Sequence, residues 1–370
     1  MTDARLLVIA AGGTGGHMFP AQALAEEMLA RGWRVALSTD DRGLRYAGGF
    51  PEDVERRALS AATFARGGLG AKALAPFRIL KGVIEAVRWF RADRPTAVAG
   101  FGGYPSLPAL AAAARIGAPR LIHEQNGVLG RVNRLFARRV DALACGVWPV
   151  SNAPEGARLV EIGNPIRAAA KEAMKTPYAP PGEGPLNLLV FGGSQGASVF
   201  ARLLPEALAA LPGPLRARLR VTTQAREAEA AELAAALGEA AEVAPFFSDM
   251  PARIAAAQLV ICRAGASTVA ELAAIGRPSI LVPYPAAMDD HQTANAASLV
   301  AAGAAILAPE TGSAGVGLTG AALAGHIRAV LEAPEHAVEM AAAARRVGRP
   351  EAAAALGDLV ERISEGNGTR

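Results

Sequence analysis

Two hydrophobic patterns alternate along the chain. Short unbroken apolar runs read as strands buried on both faces, and stretches with apolar residues three and four apart read as helices. Leu6–Ala10 is the first such run, and the glycine-rich loop Gly12-Gly13-Thr14-Gly15-Gly16-His17 follows it. Pro20 then starts a helical pattern with Ala21, Leu24, Ala25, Met28 and Leu29 on one face. Gly32 ends that helix and residues 35–37 form the next strand, which completes a strand–helix–strand unit. The alternation continues with a strand at 97–99, the loop Gly100-Phe101-Gly102-Gly103-Tyr104, a helix at 108–116 and a strand at 120–123.

After Gly163-Asn164-Pro165 the pattern breaks, and residues 176–185 are rich enough in proline and glycine to read as a linker. The pattern then restarts. A strand at 187–191 leads into Gly192-Gly193-Ser194-Gln195-Gly196-Ala197 and a helix at 199–211, a copy of the opening at an offset of 180 residues. This internal repeat predicts an α/β protein of two similar doubly wound, Rossmann-like domains, at 1–164 and 165–349. A last helix at about 351–363, within 350–370, is free by sequence to pack on either domain, and in two-lobed proteins of this sort it often crosses back to the first.

Composition narrows the partners. With 51% hydrophobic residues, 370 residues hold material for two cores. Aromatics at 5% disfavour a stacking surface for single-stranded nucleic acid. Residues 1–163 carry 21 Lys and Arg against 14 Asp and Glu, a net of +7, and the remainder nets −3. The first half is therefore the one to face something anionic. Cys145 and Cys262 suggest no disulfide framework, which favours a reducing cytoplasm. Arg5 runs straight into the first strand without a signal peptide, and the apolar stretch at 107–114 is too short to span a bilayer.

Candidate chemistry lies in the loops. A glycine loop between a buried strand and a helix brings backbone N–H groups and the positive helix end to a phosphate, and Thr14 and Ser194 add hydroxyls. Neither loop has the dinucleotide spacing with an acidic residue at the end of the next strand, and Asp40 and Asp41 lie too far on, so hydride transfer is disfavoured. His123-Glu124-Gln125-Asn126-Gly127 follows a strand and is too polar for a plain turn. Arg167, in Gly163-Asn164-Pro165-Ile166-Arg167, has the forked donors that suit a diphosphate. In Cys262-Arg263-Ala264-Gly265-Ala266-Ser267-Thr268-Val269-Ala270-Glu271, the Glu271 carboxylate either takes two ribose hydroxyls or completes a capping box with Thr268. Asp289 and Asp290 read as helix-capping residues, with no carboxylate or histidine cluster to make them a metal site. His17 is either a capping residue or a proton acceptor near neutral pH. Residues 56–94 interleave Arg56, Arg57, Arg66, Lys72, Arg78, Lys81, Arg88, Arg91 and Arg94 with apolar residues including Leu74, Phe77, Leu80, Ile84, Trp89 and Phe90. That pattern fits an anionic membrane surface or a core helix with a solvated basic face.

In this order, the motifs at 12–17, 100–104, 123–126, 163–167, 192–197, 262–266 and 290–295 resemble the peptidoglycan N-acetylglucosaminyltransferases that act on undecaprenyl-diphospho-muramoylpentapeptide. The resemblance covers essentially the whole chain. It implies a GT-B fold with two domains facing a central cleft, a membrane-facing acceptor domain first and a UDP-sugar domain second, on the cytoplasmic face of the inner membrane. It implies inverting transfer of N-acetylglucosamine from UDP-N-acetylglucosamine to the C4 hydroxyl of the muramoyl sugar, without a cofactor. By motif, the substrate contacts are Thr14, Gly15, Gly16, Asn126, Arg167, Ser194, Phe247, Ala266, Ser267, Thr268, Val269, Ala270, Glu271 and Gln292. Among these, Ser194 takes the phosphates, Glu271 the ribose, the backbone near Phe247 the uracil and Gln292 the sugar hydroxyls. Gly102, Gly103 and Tyr104 are the candidates for the acceptor diphosphate, and His17, then Glu124, for the general base. Ala264, Ser267 and Phe247 depart from the commoner residues, and the loop before Asp290 differs slightly in length. Competing readings are an epimerase of UDP-N-acetylglucosamine on the same fold and a non-catalytic sugar-nucleotide binder.

Overall fold

A computed structural model describes residues 5–12, 15–45, 47–61, 69–193, 198–311 and 317–366, with the side chains of 69–73 left aside. The chain folds into two compact units, residues 1–167 with 350–370, and residues 168–349.

In the first unit, seven strands form a sheet in which every neighbouring pair is parallel. They are β1 (Leu6–Ala10), β2 (Arg34–Thr39), β3 (Glu55–Ala58), β4 (Ala97–Gly100), β5 (Arg120–Glu124), β6 (Ala142–Cys145) and β7 (Leu159–Glu161), in the order β3-β2-β1-β4-β5-β6-β7. β1 shows why its run is apolar throughout. Leu7 and Ile9 enter a core with Leu24 and Met28 of the helix Gly15–Ala30, while Leu6, Val8 and Ala10 enter one with Trp89, Phe90 and Leu110 on the other face. Each such Leu or Ile contributes about 1.5–3 kcal/mol by leaving water. The helix Ala352–Glu365 also belongs here: Leu356, Leu359 and Val360 join the first of these cores, and Arg31 pairs with Asp358 and Glu361.

The second unit repeats the plan. β8 (Leu186–Phe191), β9 (Leu219–Gln224), β10 (Ala241–Ala244), β11 (Leu259–Cys262), β12 (Ser279–Leu281) and β13 (Ala305–Leu307) run parallel in the order β10-β9-β8-β11-β12-β13. Leu188 and Val190 pack with Phe200, Leu203 and Ile327, and Leu189 and Phe191 with Leu272, Ile275 and Leu299 on the opposite face.

Two sequence expectations need correction. The first helix begins at Gly15 rather than Pro20, which lies inside it. Pro20 withholds only the hydrogen bond to the Gly16 carbonyl, and Gly16 is exposed, so water can replace it. The stretch 176–185 is not a linker between the units but part of the second. The wholly buried Arg277 donates to the carbonyls of Thr176 and Pro177, the Tyr178 hydroxyl donates to Gln258 O, and Gln258 Nε2 donates to Ala179 O. Proline and glycine report the absence of helix or sheet, not the absence of attachment.

Candidate active site

Strand order reverses between β1 and β4 in one sheet and between β8 and β11 in the other. Ligands of open α/β sheets bind beyond the carboxyl ends of the strands at such a reversal. Most of the loops predicted to carry chemistry follow these four strands and β5, while 163–167 follow β7 and 289–292 follow β12. Thr14, with Gly13, and Ser194, with residues 195–197, lie outside the described residues, as does Arg66.

In the first unit, Gly12 is glycine for packing: a Cβ there would come 2.8 Å from Pro105 Cγ. Gly15 and Gly16 open the helix, and His17 stands in its first turn. Gly102 and Gly103 have φ of 82° and 71°, a backbone that L side chains avoid, and a Cβ on either would lie 3.4–3.5 Å from the His17 ring. His17 Nδ1 is 3.0 Å from Gln125 Oε1. The buried Gln125 also donates from Nε2 to the carbonyls of Phe101 and His123, and its own carbonyl accepts from Asn164 Nδ2. His123 Nε2 lies 3.1 Å from the Gly163 carbonyl, and burial pushes this imidazole down to about 4. The Tyr104 hydroxyl donates to Asp40, whose other oxygen caps the helix Asp41–Leu44. Arg167 lies over the Phe19 ring, its Cζ 3.9 Å from the centroid, beside the first glycine loop.

Glu124 does not fit the role of base. It is 2% exposed and accepts from Asn126 N and Nδ2, Gly130 N and Asn133 Nδ2. A carboxylate whose oxygens already accept from four donors is a strut of its loop, with little hydrogen-bonding capacity left for a substrate hydroxyl. What it positions is Asn126.

In the second unit, the helix Ala266–Ile275 has Gly265 at its N-cap, with no side-chain cap. Thr268 is therefore the third helical residue, and the capping-box reading of Thr268 and Glu271 fails. Ala266, Ser267 and Thr268 form the first turn, with Val269 and Ala270 next, and Glu271 is buried one turn in. Asn295 Nδ2 donates to the Ala264 carbonyl. Arg263 donates to the carbonyls of Val282 and Pro283 and pairs with Glu310 at 2.6 Å, which fixes the chain leading to Gln292. Gln292 Oε1 accepts from Tyr284 N, so what it offers a ligand is its amide NH2. Asp289 and Asp290 adopt φ of 53° and 48° ahead of the helix His291–Ala301. Asp290 accepts from the Thr293 hydroxyl and caps no backbone N–H, contrary to the sequence reading. Phe247 follows β10 at the sheet edge and is buried under the Arg253 guanidinium, 4.2 Å from its centroid, while the preceding Phe246 is exposed.

The structure adds Gln125, Asn133, Arg263 and Asp40 to the sequence candidates. Gln125 and Arg263 stood inside quoted motifs without a role. Asn133 and Asp40 touch the site only through tertiary contacts, for which spacing carries no signal.

The same arrangement recurs in known proteins. Models of the glycosyltransferase family 28 N-terminal and C-terminal domains match residues 7–145 and 187–356. A UDP-N-acetylglucosamine–N-acetylmuramyl-(pentapeptide) pyrophosphoryl-undecaprenol N-acetylglucosamine transferase of Chelativorans sp. (strain BNC1) is 48% identical, over 98% of this chain and 96% of its own. Its namesake from Mesorhizobium japonicum is 49% identical over 97% of this chain and 95% of its own. Among solved structures, Acinetobacter baumannii MurG superposes with a TM-score of 0.75 at 31% identity, covering 97% of this chain and 99% of that one. A kitacinnamycin glycotransferase at 20% identity and TM-score 0.67, covering 97% of this chain and 99% of its own, shares the fold.

Proposed function

Because this chain belongs to the family of UDP-N-acetylglucosamine–N-acetylmuramyl-(pentapeptide) pyrophosphoryl-undecaprenol N-acetylglucosamine transferases, we propose that it performs their reaction in peptidoglycan synthesis. It is a GT-B glycosyltransferase that moves N-acetylglucosamine from its UDP donor to undecaprenyl-diphospho-muramoylpentapeptide. Identity near one half over 98% of the chain carries this reading. Incubation with labelled UDP-N-acetylglucosamine, with and without the lipid-linked acceptor, tests it. Label must enter lipid only when acceptor is present; conversion of the donor to another sugar without acceptor means an epimerase, and no turnover means a binder.

The C4 hydroxyl of the muramoyl sugar attacks the anomeric carbon as the bond to UDP breaks, with inversion. His17 takes the hydroxyl proton. Its place between Gly102, Gly103 and Gln125 supports this, since the carboxylate alternative, Glu124, is already saturated. A positioned base contributes about 10²–10⁴-fold. The leaving diphosphate collects at the second glycine loop, with Ser194 and the helix behind it, and Arg167 assists. Glu271 takes the ribose hydroxyls, the backbone at Phe247 meets the uracil, and Gln292 reads sugar hydroxyls through its NH2. The turn at Ala266, Ser267, Thr268, Val269 and Ala270 completes the donor site. Thr14, Gly15, Gly16 and Asn126 face the transferred sugar, and Gly102, Gly103 and Tyr104 the acceptor diphosphate.

The first unit meets an anionic membrane surface through the helix Leu69–Ala92. That helix buries Ala75, Gly82, Ala86, Trp89 and Phe90 and exposes Leu74, Phe77, Leu80 and Ile84 among Arg78, Lys81, Arg88 and Arg91. Among the described residues no helix is long and apolar enough to cross a membrane. The protein works peripherally, on the cytoplasmic face where the nucleotide sugar is.

A further inference from the structure

We propose that Gln125 is a positioning residue that decides which ring nitrogen of His17 carries the proton, because its own amide has only one tenable orientation. An amide side chain can in general be turned over, exchanging oxygen for nitrogen. Gln125 cannot. It is 1% exposed, and its Nε2 lies 2.9 Å from the Phe101 carbonyl oxygen and 3.0 Å from the His123 carbonyl oxygen. Both neighbours are acceptors and require a donor. Turned over, the amide would set its oxygen against two buried carbonyl oxygens, and each group left unsatisfied is expensive.

A third contact points the same way. His123 Nε2 faces the Gly163 carbonyl, so Nε2 holds the hydrogen of that ring and Nδ1 is an acceptor. His123 Nδ1 is 3.4 Å from Gln125 Nε2. Three acceptors thus surround the nitrogen end of the amide.

The other end follows by elimination. Gln125 Oε1 is the atom 3.0 Å from His17 Nδ1, and an amide oxygen only accepts. Nδ1 of His17 therefore bears the hydrogen, and in the neutral ring Nε2 is left as the acceptor. The ring is flanked by Gly102 and Gly103, where a Cβ would lie in van der Waals contact with it. A carbonyl just beyond β4 and one within the adjoining β5 thus dictate through one neutral amide where His17 can accept a proton. A carboxylate in the same place would also stabilise the imidazolium; an amide selects the tautomer without adding charge.

The inference rests on the reading of His17 as base, and the two are separable by experiment. The full-length protein with ¹⁵N-labelled histidine is titrated by NMR, with His17 assigned by loss of its signal in His17→Asn. Two-bond ¹⁵N–¹H correlations on the neutral ring are expected to show Nδ1 protonated and Nε2 bare. A neutral wild-type ring protonated on Nε2 overturns the proposal without recourse to any variant. Gln125→Met keeps length and removes both hydrogen-bonding ends. It is expected to populate the Nε2–H form and to lower kcat about 10²-fold, the low end of a positioned base's contribution, with KM for UDP-N-acetylglucosamine unchanged. An unaltered tautomer in that variant also overturns the proposal. An altered tautomer with unaltered kcat upholds the role of Gln125 and removes His17 as base.

Discussion

Burial holds the His123 imidazole down at about 4, against 6.5 in water, even though its Nε2–H donates to Gly163 O. The folded protein thus refuses a proton that the unfolded chain accepts. The stability tied to this residue is complete above pH 6.5 and is lost as pH falls towards 4, at up to about 1.4 kcal/mol per pH unit. Urea midpoints between pH 7 and pH 5 are expected to fall less in His123→Phe than in the wild type. The lost contact to Gly163 lowers both midpoints equally and leaves the slope as the readout. At Glu271 the expectation is kinetic. A carboxylate bridging two hydroxyls contributes about 1.5–3 kcal/mol, so Glu271→Ala is expected to raise KM for UDP-N-acetylglucosamine roughly 10- to 150-fold. A change below twofold sinks the ribose assignment. Sequence alone offered two uses for this residue, since Thr268-x-x-Glu271 is a valid capping box in isolation. The choice of Gly265 as N-cap settles against the box, and that choice depends on where β11 hands over to the helix. Glu124 misled for the same reason: its four donors come from residues two to nine positions on, gathered by a turn that spacing does not reveal.

The elements legible in sequence were those buried on both faces. β1 is an unbroken apolar run and β8 is interrupted only by the exposed Asn187, and both lie within a residue of the strands expected at 6–10 and 187–191. β3 was not legible: its four residues, Glu-Arg-Arg-Ala, are all exposed at the sheet edge and carry no apolar pattern. β7 and β13, three residues each, are too short to show one. The helix Leu69–Ala92 illustrates a subtler limit. Its pattern is amphipathic on two sides, and only the fold tells which apolar stripe is core. Phe77 is 70% exposed and Leu80 57%, whereas Trp89 and Phe90 are buried. Phe77→Ser with Leu80→Ser is therefore expected to weaken binding to vesicles of anionic phospholipid at least tenfold, since each removes an apolar side chain worth about 1.5 kcal/mol or more from the interface. Thermal stability stays within about 0.5 kcal/mol of wild type, as for surface substitutions generally. Sedimentation with the vesicles and a melting curve read the two effects separately. The inner stripe behaves oppositely. Gly82 leaves no room for a Cβ against the Ser60 carbonyl, so Gly82→Ala is expected to destabilise.

At the scale of the whole molecule, the repeat made two units readable, but not how the chain is shared between them. Arg277 shows one reason. Its guanidinium is wholly buried and donates to the carbonyls of Ala255, Ile275, Gly276, Thr176 and Pro177, with burial drawing it down to about 10, still charged at neutral pH. Arg277→Met removes a donor from five carbonyls, of which Ile275 O and Thr176 O keep Arg345, and is expected to cost about 3 kcal/mol or more, visible as a lowered Tm of the second unit. The helix Ala352–Glu365 shows another. It is sequentially last but supplies Leu356, Leu359 and Val360 to the core laid down by β1. On a ribosome, where domains generally form in order of emergence, the sequence of events is reversed. Residues 168–349 can finish their fold while the earlier-made half still waits for its closing helix. While residues 352–365 are still in the exit tunnel, the first unit lacks Leu356, Leu359 and Val360 from its core although all its strands have been made. A nonsense mutation there strikes the half of the protein that was translated first.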